Sequence, residues 1–178
     1  MSDALSARSV VVLADCHIHP GNGIDWSQAA LAAFAGTELI VTLGDMGEAS
    51  GLAALAAIAP VVGVRGADDE DNPFTAGKTR LFTLGGVAVG CVFDPVASGL
   101  ASSRDPLTLA PDRELERIFG GPAAVILWAS THVPSVQRLE RRLVVNPGSA
   151  TLPDKDAPAS FARLTIRDGQ ADAEIVTL

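Results

Sequence analysis

The stretch Val10-Val11-Val12-Leu13-Ala14-Asp15-Cys16-His17 places an acid and an imidazole directly behind a short aliphatic run. Short apolar runs of this kind are typical of strands buried on both faces. The arrangement recurs in Val41-Thr42-Leu43-Gly44-Asp45 and again in the run 61–69, which ends in Asp68-Asp69. Because open α/β sheets place their ligands at the carboxyl ends of the strands, we expect these polar residues to meet at one edge.

Two later segments extend this set. Ile126-Leu127-Trp128-Ala129-Ser130-Thr131-His132 ends in an imidazole, and Val144-Val145-Asn146-Pro147-Gly148-Ser149 ends in a tight turn. The candidate metal ligands are therefore two carboxylates and two imidazoles: Asp15, His17, Asp45 and His132. Oxygen and nitrogen donors together suit manganese, iron or zinc. The sequence thus predicts a divalent-metal site at the sheet edge.

Aliphatic runs alternate with Ala/Leu-rich segments in the first half, which predicts parallel strands covered by helices. The turns Leu84-Gly85-Gly86-Val87 and Arg167-Asp168-Gly169-Gln170 predict hairpins in the second half. The segments 97–111 and 151–159, rich in small and polar residues, predict surface loops. We predict one α/β domain over residues 1–178, with helices at Trp26–Ala35 (capped by Asp25), Ala49–Ile58 and Asp112–Phe119, and strands at Val10–Ala14, Leu39–Leu43, Val61–Arg65, Thr79–Leu84, Val87–Phe93, Ala123–Trp128, Leu143–Asn146, Phe161–Arg167 and Ala171–Thr177.

Composition limits the partners. The 178 residues are 48% hydrophobic and carry a formal net charge of −8, so the overall field repels nucleic-acid backbones and anionic lipid surfaces. An anionic substrate would need a local positive charge, for which a metal ion is the obvious source. Two cysteines, Cys16 and Cys91, are too few for a disulfide framework, and no apolar stretch is long enough for a membrane span. We expect a reducing, cytoplasmic setting.

The order of these blocks resembles the calcineurin-like metallophosphoesterases, particularly their small bacterial phosphodiesterase branch. Asp15-x-His17, Gly44-Asp45, the closing His132 and Asn146–Ser149 match the family's blocks in order. The resemblance implies an αββα sandwich of two mixed sheets, and a metal held by Asp15, His17, Asp45 and His132. It also implies hydrolysis of a phosphodiester or phosphomonoester in a small phosphorylated substrate, and a homodimer is expected because dimers are frequent in that family.

The resemblance breaks at the second metal of the family. Its asparagine falls on Ala67, its His-Gly histidine at or near Phe93, and the first histidine of its Gly-His-x-His block on Ser130. Only Asp45 remains of four second-site ligands, whereas the family uses two cations about 3.5–4 Å apart. We therefore expect one ion, manganese before iron, zinc or nickel, and weak or altered hydrolysis.

Substitute groups are open to the second position. Asp68 or Asp69 could replace the missing amide oxygen or position a water, and both join Asp45 as candidate catalytic residues. Asp94, His19 or Cys16 could also lie close enough to help. His19, beside Pro20 and Gly21, is expected at the surface.

Two other functions compete with phosphoester hydrolysis. The same fold includes the retromer scaffold subunit, so a chain that has lost metal ligands could be a non-catalytic interaction module. The segment Asp15-Cys16-His17-Ile18-His19 also resembles the His-x-His strand of amidohydrolases. That family needs a (β/α)₈ barrel of about 250 residues, for which this chain is short.

Overall fold

The computed structural model describes residues 3–69, 71–75, 77–104 and 107–178. Three α-helices occur in these ranges: α1 (Gln28–Phe34), α2 (Ala49–Ala56) and α3 (Asp112–Phe119). The strands are β1 (Asp3–Leu5), β2 (Ser9–Leu13), β3 (Leu39–Thr42), β4 (Val61–Gly63), β5 (Thr79–Leu84), β6 (Val87–Val92), β7 (Ala101–Arg104), β8 (Leu107–Leu109), β9 (Val125–Leu127), β10 (Ser135–Leu139), β11 (Arg142–Asn146), β12 (Ser160–Arg167) and β13 (Gln170–Thr177). None of the helices in these ranges is long and apolar enough to cross a bilayer.

The strands form two mixed sheets and one small hairpin. One sheet has the order β13-β12-β2-β3-β4, and the other has the order β1-β5-β6-β9-β11-β10. Strands β2, β3 and β4 run parallel, as do β6, β9 and β11, while β5–β6 and β12–β13 are antiparallel hairpins. At the carboxyl ends of both parallel sets, the strands lead into loops with polar residues.

Both faces of the central strands are buried. Along β2, Val10 and Val12 pack against the other sheet, while Val11 and Leu13 pack against the helical side. Because side chains alternate across a strand, a continuous aliphatic run is what a strand covered on both faces requires. Helices α1 and α2 cover one sheet, and α3 with the β7–β8 hairpin covers the other. The fold is therefore an αββα sandwich, as predicted.

An aromatic group fixes the first helical layer. The ring of Phe34 on α1 meets Trp26 edge-on at 5.7 Å and Phe161 of β12 edge-on at 5.1 Å, measured between ring centroids. Both phenylalanines are fully buried. The Trp26 indole N–H also donates to the Gly51 carbonyl on α2 at 3.0 Å. This group joins both helices to the sheet that carries β2.

The nine predicted strands and three predicted helices are confirmed, with ends that shift by a few residues. The predicted turns are also present, with positive φ at Gly85, Gly86, Asp168 and Gly169. The segment 151–159 contains no helix or strand, as expected for a loop.

Three expectations were wrong. The segment 97–111 contains the β7–β8 hairpin, which is anchored by the buried side chains of Leu107 in β8 and of Leu100 just before β7. Residues 105–106 lie outside the described ranges. Ser27, whose hydroxyl accepts from the Ala30 N–H at 3.0 Å, caps α1 in place of Asp25. The second half is not hairpins alone, since β6, β9 and β11 are parallel. Strands β1 and β10 were not predicted.

Replacement of Phe34 by alanine should lower the free energy of unfolding by about 3–5 kcal/mol, because it removes a fully buried ring between helix and sheet. Leu31→Ala on the same helix, where the side chain is only partly buried, should cost about 1 kcal/mol. Urea unfolding measures both. Equal losses would show that the ring contributes no more than an ordinary side chain of α1.

Candidate metal centre

Loops from both sheets meet at one edge of the sandwich. The loop after β2 carries Asp15 and His17, the loop after β3 carries Asp45, and the loop after β9 carries His132. Backbone hydrogen bonds continue the pairing beyond the strands: the Asp15 N–H donates to the Gly44 carbonyl at 3.0 Å, and the His17 N–H donates to the Asp45 carbonyl at 2.9 Å. The strand ends thus hold these loops side by side, as the sequence predicts.

The backbone at the centre is held in an unfavourable conformation. Asp15, His17, Asp45 and His132 have φ of 51°, 45°, 49° and 58°, and Ser130 has φ of 75°. Among the described residues, the other non-glycine residues with positive φ are Glu140 and Asp168, both in hairpin turns. Left-handed backbone costs on the order of 1–3 kcal/mol per residue and is concentrated at functional sites. All four predicted metal ligands share this strain.

Two glycines allow the loops to touch backbone to backbone. A Cβ on Gly66 would lie 2.0 Å from Asp45 Oδ1, and a Cβ on Gly44, whose φ is +106°, would lie 2.3 Å from the Gly66 amide nitrogen. No side chain fits in either place, so glycine is needed at both Gly44 and Gly66 for the close approach of the β3 and β4 loops.

The carboxylate of Asp15 is fully buried at the bottom of the centre. Its Oδ2 accepts from the Ser130 N–H at 3.0 Å, whereas Oδ1 is buried without a hydrogen-bond partner among the described residues. The Nε2 atom of His132 lies 3.9 Å from that Oδ1. On the other side of the ring, Nδ1 lies 2.5 Å from the Leu152 carbonyl oxygen. Because a carbonyl can only accept, Nδ1 carries the proton, and the lone pair of Nε2 points toward the site.

His17 links two groups of possible ligands. Its ring stacks on His132 with 5.3 Å between centroids and 16° between planes. Ligand atoms of Asp15, His17 and His132 lie within 4.8 Å of one another, and so do those of His17, Asp45 and Asp68. The centre therefore brings the four predicted ligands together as two groups that share His17, and Asp68 joins the second group.

The adjacent acids Asp68 and Asp69 differ in their contacts. The Asp69 carboxylate accepts from the backbone N–H groups of Asp45 at 2.9 Å, Met46 at 2.8 Å and Gly66 at 2.9 Å. Asp68 donates its N–H to Asp45 Oδ1 at 3.0 Å, and its own carboxylate is exposed at the rim. Asp69 thus fastens the β4 loop to the β3 loop, while Asp68 is free to contact an ion, a water or a substrate.

Burial disfavours the charged forms of both inner acids. Burial raises the pKa of Asp15 to about 6, opposed by the His132 ring and the Ser130 N–H. The pKa of Asp45 is also raised, mainly by burial, with the Asp68 N–H acting in the opposite direction. Two desolvated carboxylates, one with an unpartnered oxygen, are an environment that a divalent cation would stabilise. The donor atoms of these residues therefore fit a divalent metal ion, which the two groups around His17 would hold.

The positions that would hold the family's second cation carry other groups. Ala67 is exposed, and the Phe93 carbonyl accepts from the Ala129 N–H at 2.9 Å. The Ser130 hydroxyl oxygen is buried without a partner among the described residues. None of these side chains offers an imidazole or an amide.

The Asn146–Ser149 turn supports the rim of the centre. The Ser149 hydroxyl donates to the Asp15 carbonyl at 2.7 Å, and the Asn146 side-chain amide donates to the Thr131 hydroxyl oxygen at 3.0 Å. The Leu152 carbonyl that orients His132 was missed, because a backbone carbonyl leaves no signal in side-chain identity. His19 lies at the surface, 3.3 Å from Glu48, and both cysteines are buried.

A buried carboxylate, an oriented imidazole and a shared histidine at one edge of an αββα sandwich define a metallophosphoesterase-type centre. Residues 9–169 match the calcineurin-like phosphoesterase superfamily domain. The chain is 30% identical over 167 residues to a probable metallophosphoesterase of Methanothermobacter thermautotrophicus, covering 93% of this chain and 90% of that protein. The chain belongs to the calcineurin-like phosphoesterase superfamily.

Solved structures agree on the fold. Vps29 of Entamoeba histolytica, crystallised in complex with Zn²⁺, superposes with a TM-score of 0.68 at 19% identity, covering 95% of this chain and 98% of that one. A predicted phosphoesterase from Streptococcus pneumoniae gives a TM-score of 0.62 at 17% identity, covering 97% and 91%. Identities this low establish the architecture and not the activity. The αββα sandwich also excludes the barrel that an amidohydrolase needs.

Asp69→Ala should lower the free energy of unfolding by about 2–3 kcal/mol, because three backbone N–H groups lose their acceptor. Asp68→Ala should stay within about 0.5 kcal/mol of the parent, because that carboxylate is exposed. Chemical denaturation of the two variants makes the comparison. Equal effects would show that Asp69 does not hold the loops together.

His17→Ala should abolish the rise in melting temperature that Mn²⁺ gives to the parent protein, since His17 belongs to both ligand groups. His19→Ala removes an exposed imidazole two residues away and should leave the Mn²⁺ response intact. Thermal melts with EDTA or with added Mn²⁺ measure the difference. A full response in His17→Ala would exclude His17 as a ligand.

Proposed function

We propose that the chain is a metal-dependent phosphoesterase that hydrolyses a small phosphodiester or phosphomonoester. The observation that carries the proposal is the fully buried Asp15 carboxylate, whose Oδ1 faces His132 Nε2 at 3.9 Å without a hydrogen-bond partner in the described part of the chain. A divalent cation bound there lowers the pKa of a coordinated water and offsets charge on phosphate oxygens. Family membership supports the same reaction class.

The chain's own residues have separate tasks. Asp15, His17, Asp45 and His132 hold the ion, with His132 fixed in one tautomer by the Leu152 carbonyl. The exposed Asp68 carboxylate is placed to accept the proton of the attacking water or to position that water. Asp69 acts as a positioning residue, because its oxygens are occupied by three backbone donors.

We propose one ion, manganese before iron, zinc or nickel, because Ala67, Phe93 and Ser130 offer no strong ligand for a second. Hydrolysis should then be slower than in two-metal relatives, since one cation neutralised by Asp15 and Asp45 leaves little positive charge for the transition state. The cytoplasmic setting, the homodimer and the single domain over 1–178 remain predictions.

The test is turnover of bis(p-nitrophenyl) phosphate with Mn²⁺, Fe²⁺, Zn²⁺ or Ni²⁺ added to metal-free protein. Asp45→Asn should lower kcat/KM by more than about 100-fold, beyond the 10–100-fold typical of groups that only support a ligand. Asp172→Asn, at an exposed carboxylate on β13, should match the parent. Equal rates in all three proteins would mean that a contaminant is responsible, and no turnover in any would refute the proposal.

A second candidate function is a non-catalytic interaction module. Two large apolar side chains flank the centre: Val133 is 45% exposed and follows His132, and Leu152 is 41% exposed at the residue whose carbonyl orients that ring. Exposed apolar groups at a rim are typical of contact surfaces for protein partners. A melting-temperature rise with Mn²⁺ but no turnover of any phosphate ester would favour this function over hydrolysis.

A further inference from the structure

A cavity of about 430 Å³ opens beside the metal centre, at the positions where the second-metal ligands are missing. Its wall includes Ala67 from the β4 loop and Phe93 from the end of β6, the same two residues that replace the family's asparagine and histidine. Phe93 and Ile118, both partly exposed, give the wall an apolar surface. A cavity large enough for a small molecule therefore lies where these metal-binding side chains are missing.

Backbone contacts join this cavity to the metal centre on two sides. Gly66, which lines the cavity, lies so close to Asp45 that a Cβ there would meet the carboxylate oxygen at 2.0 Å. On the other side, the Phe93 carbonyl accepts from Ala129, the neighbour of the residue whose N–H contacts Asp15. A molecule in the cavity would thus lie next to the loop that carries Asp45 and next to the backbone segment that hydrogen-bonds to Asp15.

Basic side chains line the cavity although the chain carries a net charge of −8. Arg65, Lys78 and Arg117 all contribute to its wall. Lys78 has no ion-pair or hydrogen-bond partner within the part of the chain that the structure describes. Arg65 pairs with Asp71, which is 91% exposed, and Arg117 pairs with Glu114 on the surface of α3. Exposed pairs of this kind are worth little, so both guanidinium groups can also contact an anion.

One acid also lines the cavity, but its charge is offset. The Asp94 carboxylate pairs with Arg104 and accepts from the backbone N–H groups of Val96 and Ala97. These contacts, the Arg104 hydrogen bond foremost, lower the pKa of Asp94 against the opposing effect of burial. Among the described residues that line the cavity, Lys78 therefore adds a positive charge that no acidic side chain offsets.

We propose that this cavity binds organic phosphates with an apolar body, the anion contacting Lys78, Arg65 and Arg117 and the body lying on Phe93 and Ile118. This deepens the proposed function, on which it rests for the reaction, by naming aryl and similarly apolar phosphate esters as the substrate class. Fixed side-chain cations take the place that a second metal ion holds elsewhere in the family. Binding to the cavity itself requires no metal.

The experiment measures binding of 1-naphthyl phosphate to metal-free protein in EDTA by titration calorimetry. The double variant Lys78→Ala/Arg117→Ala should weaken binding by about tenfold or more, because two charged contacts to the anion are lost. Arg113→Ala on the same helix, combined with Lys155→Ala, removes the same charge outside the cavity and should leave binding unchanged. Equal affinity in the two double variants, or no saturable binding by the parent, would overturn the proposal.

Two further measurements test the chemical class of the ligand and the location of its binding site. Inorganic phosphate and 1-naphthol should each bind more weakly than 1-naphthyl phosphate, and equal affinity for either would overturn the two-part ligand. Amide shifts in ¹H–¹⁵N spectra should change at Ala67, Phe93 and Ile118. Changes confined to Ser50 and Asn72, which line a cavity near His19, would overturn the location.

Failure of this proposal and failure of the proposed function give different results. Metal-free binding that depends on Lys78 and Arg117, without turnover when Mn²⁺ is added, supports the cavity and refutes the phosphoesterase. Turnover that depends on Asp45, without metal-free binding, supports the phosphoesterase and refutes the cavity.

Discussion

The site depends on backbone-to-backbone contact between the loops that follow β2, β3 and β4. Three glycines bring these chains together: Gly47 packs on Ile18, Gly44 on Gly66, and Gly66 on Asp45, each at a distance that a Cβ would close to 2.0–2.3 Å. Side chains at these places would separate the loops. The ligands would then lie too far apart for a common ion.

This close packing explains the backbone strain and the buried charge together. Loops that meet edge to edge must turn sharply, and Asp15, His17 and Asp45 turn through the left-handed region. The same turn directs Asp15 inward, where burial raises its pKa to about 6. A bound cation would relieve the electrostatic cost but not the backbone strain. The strain is sustained by contacts outside the ion, such as the three N–H bonds to Asp69.

The sequence predicted the fold well because its information lies in local patterns. Runs such as Val10–Leu13 are apolar at every position, which occurs when a strand is covered on both faces, and the Gly85-Gly86 and Asp168-Gly169 turns set the hairpins. The β7–β8 hairpin was missed because Leu100 and Leu107 are isolated apolar residues among small polar ones. Strand β10, with exposed side chains at its centre, carries no alternating pattern at all.

The candidate ligands could be predicted from the order of motifs, whereas the contacts that hold them in place could not. Asp68 and Asp69 are the same residue type at adjacent positions, and only the direction of each side chain separates a rim carboxylate from a fastening one. Likewise, Lys78 and Arg117 are 39 positions apart and meet at one cavity because Lys78 directly precedes β5 and α3 packs on the sheet that contains β5. Contacts of this kind depend on three-dimensional packing, for which a single sequence has no periodic signal.

Charged side chains are unevenly distributed around the centre, and this distribution favours one direction of approach for an anionic ligand. On one side, Glu48, Asp68 and Asp71 line a cavity with His19, so a phosphate there would meet mostly like charge. On the other side, Lys78, Arg65 and Arg117 line the cavity beside Ala67 and Phe93. Since fields in clefts guide charged ligands, we expect an anionic ester to approach the centre from the basic side.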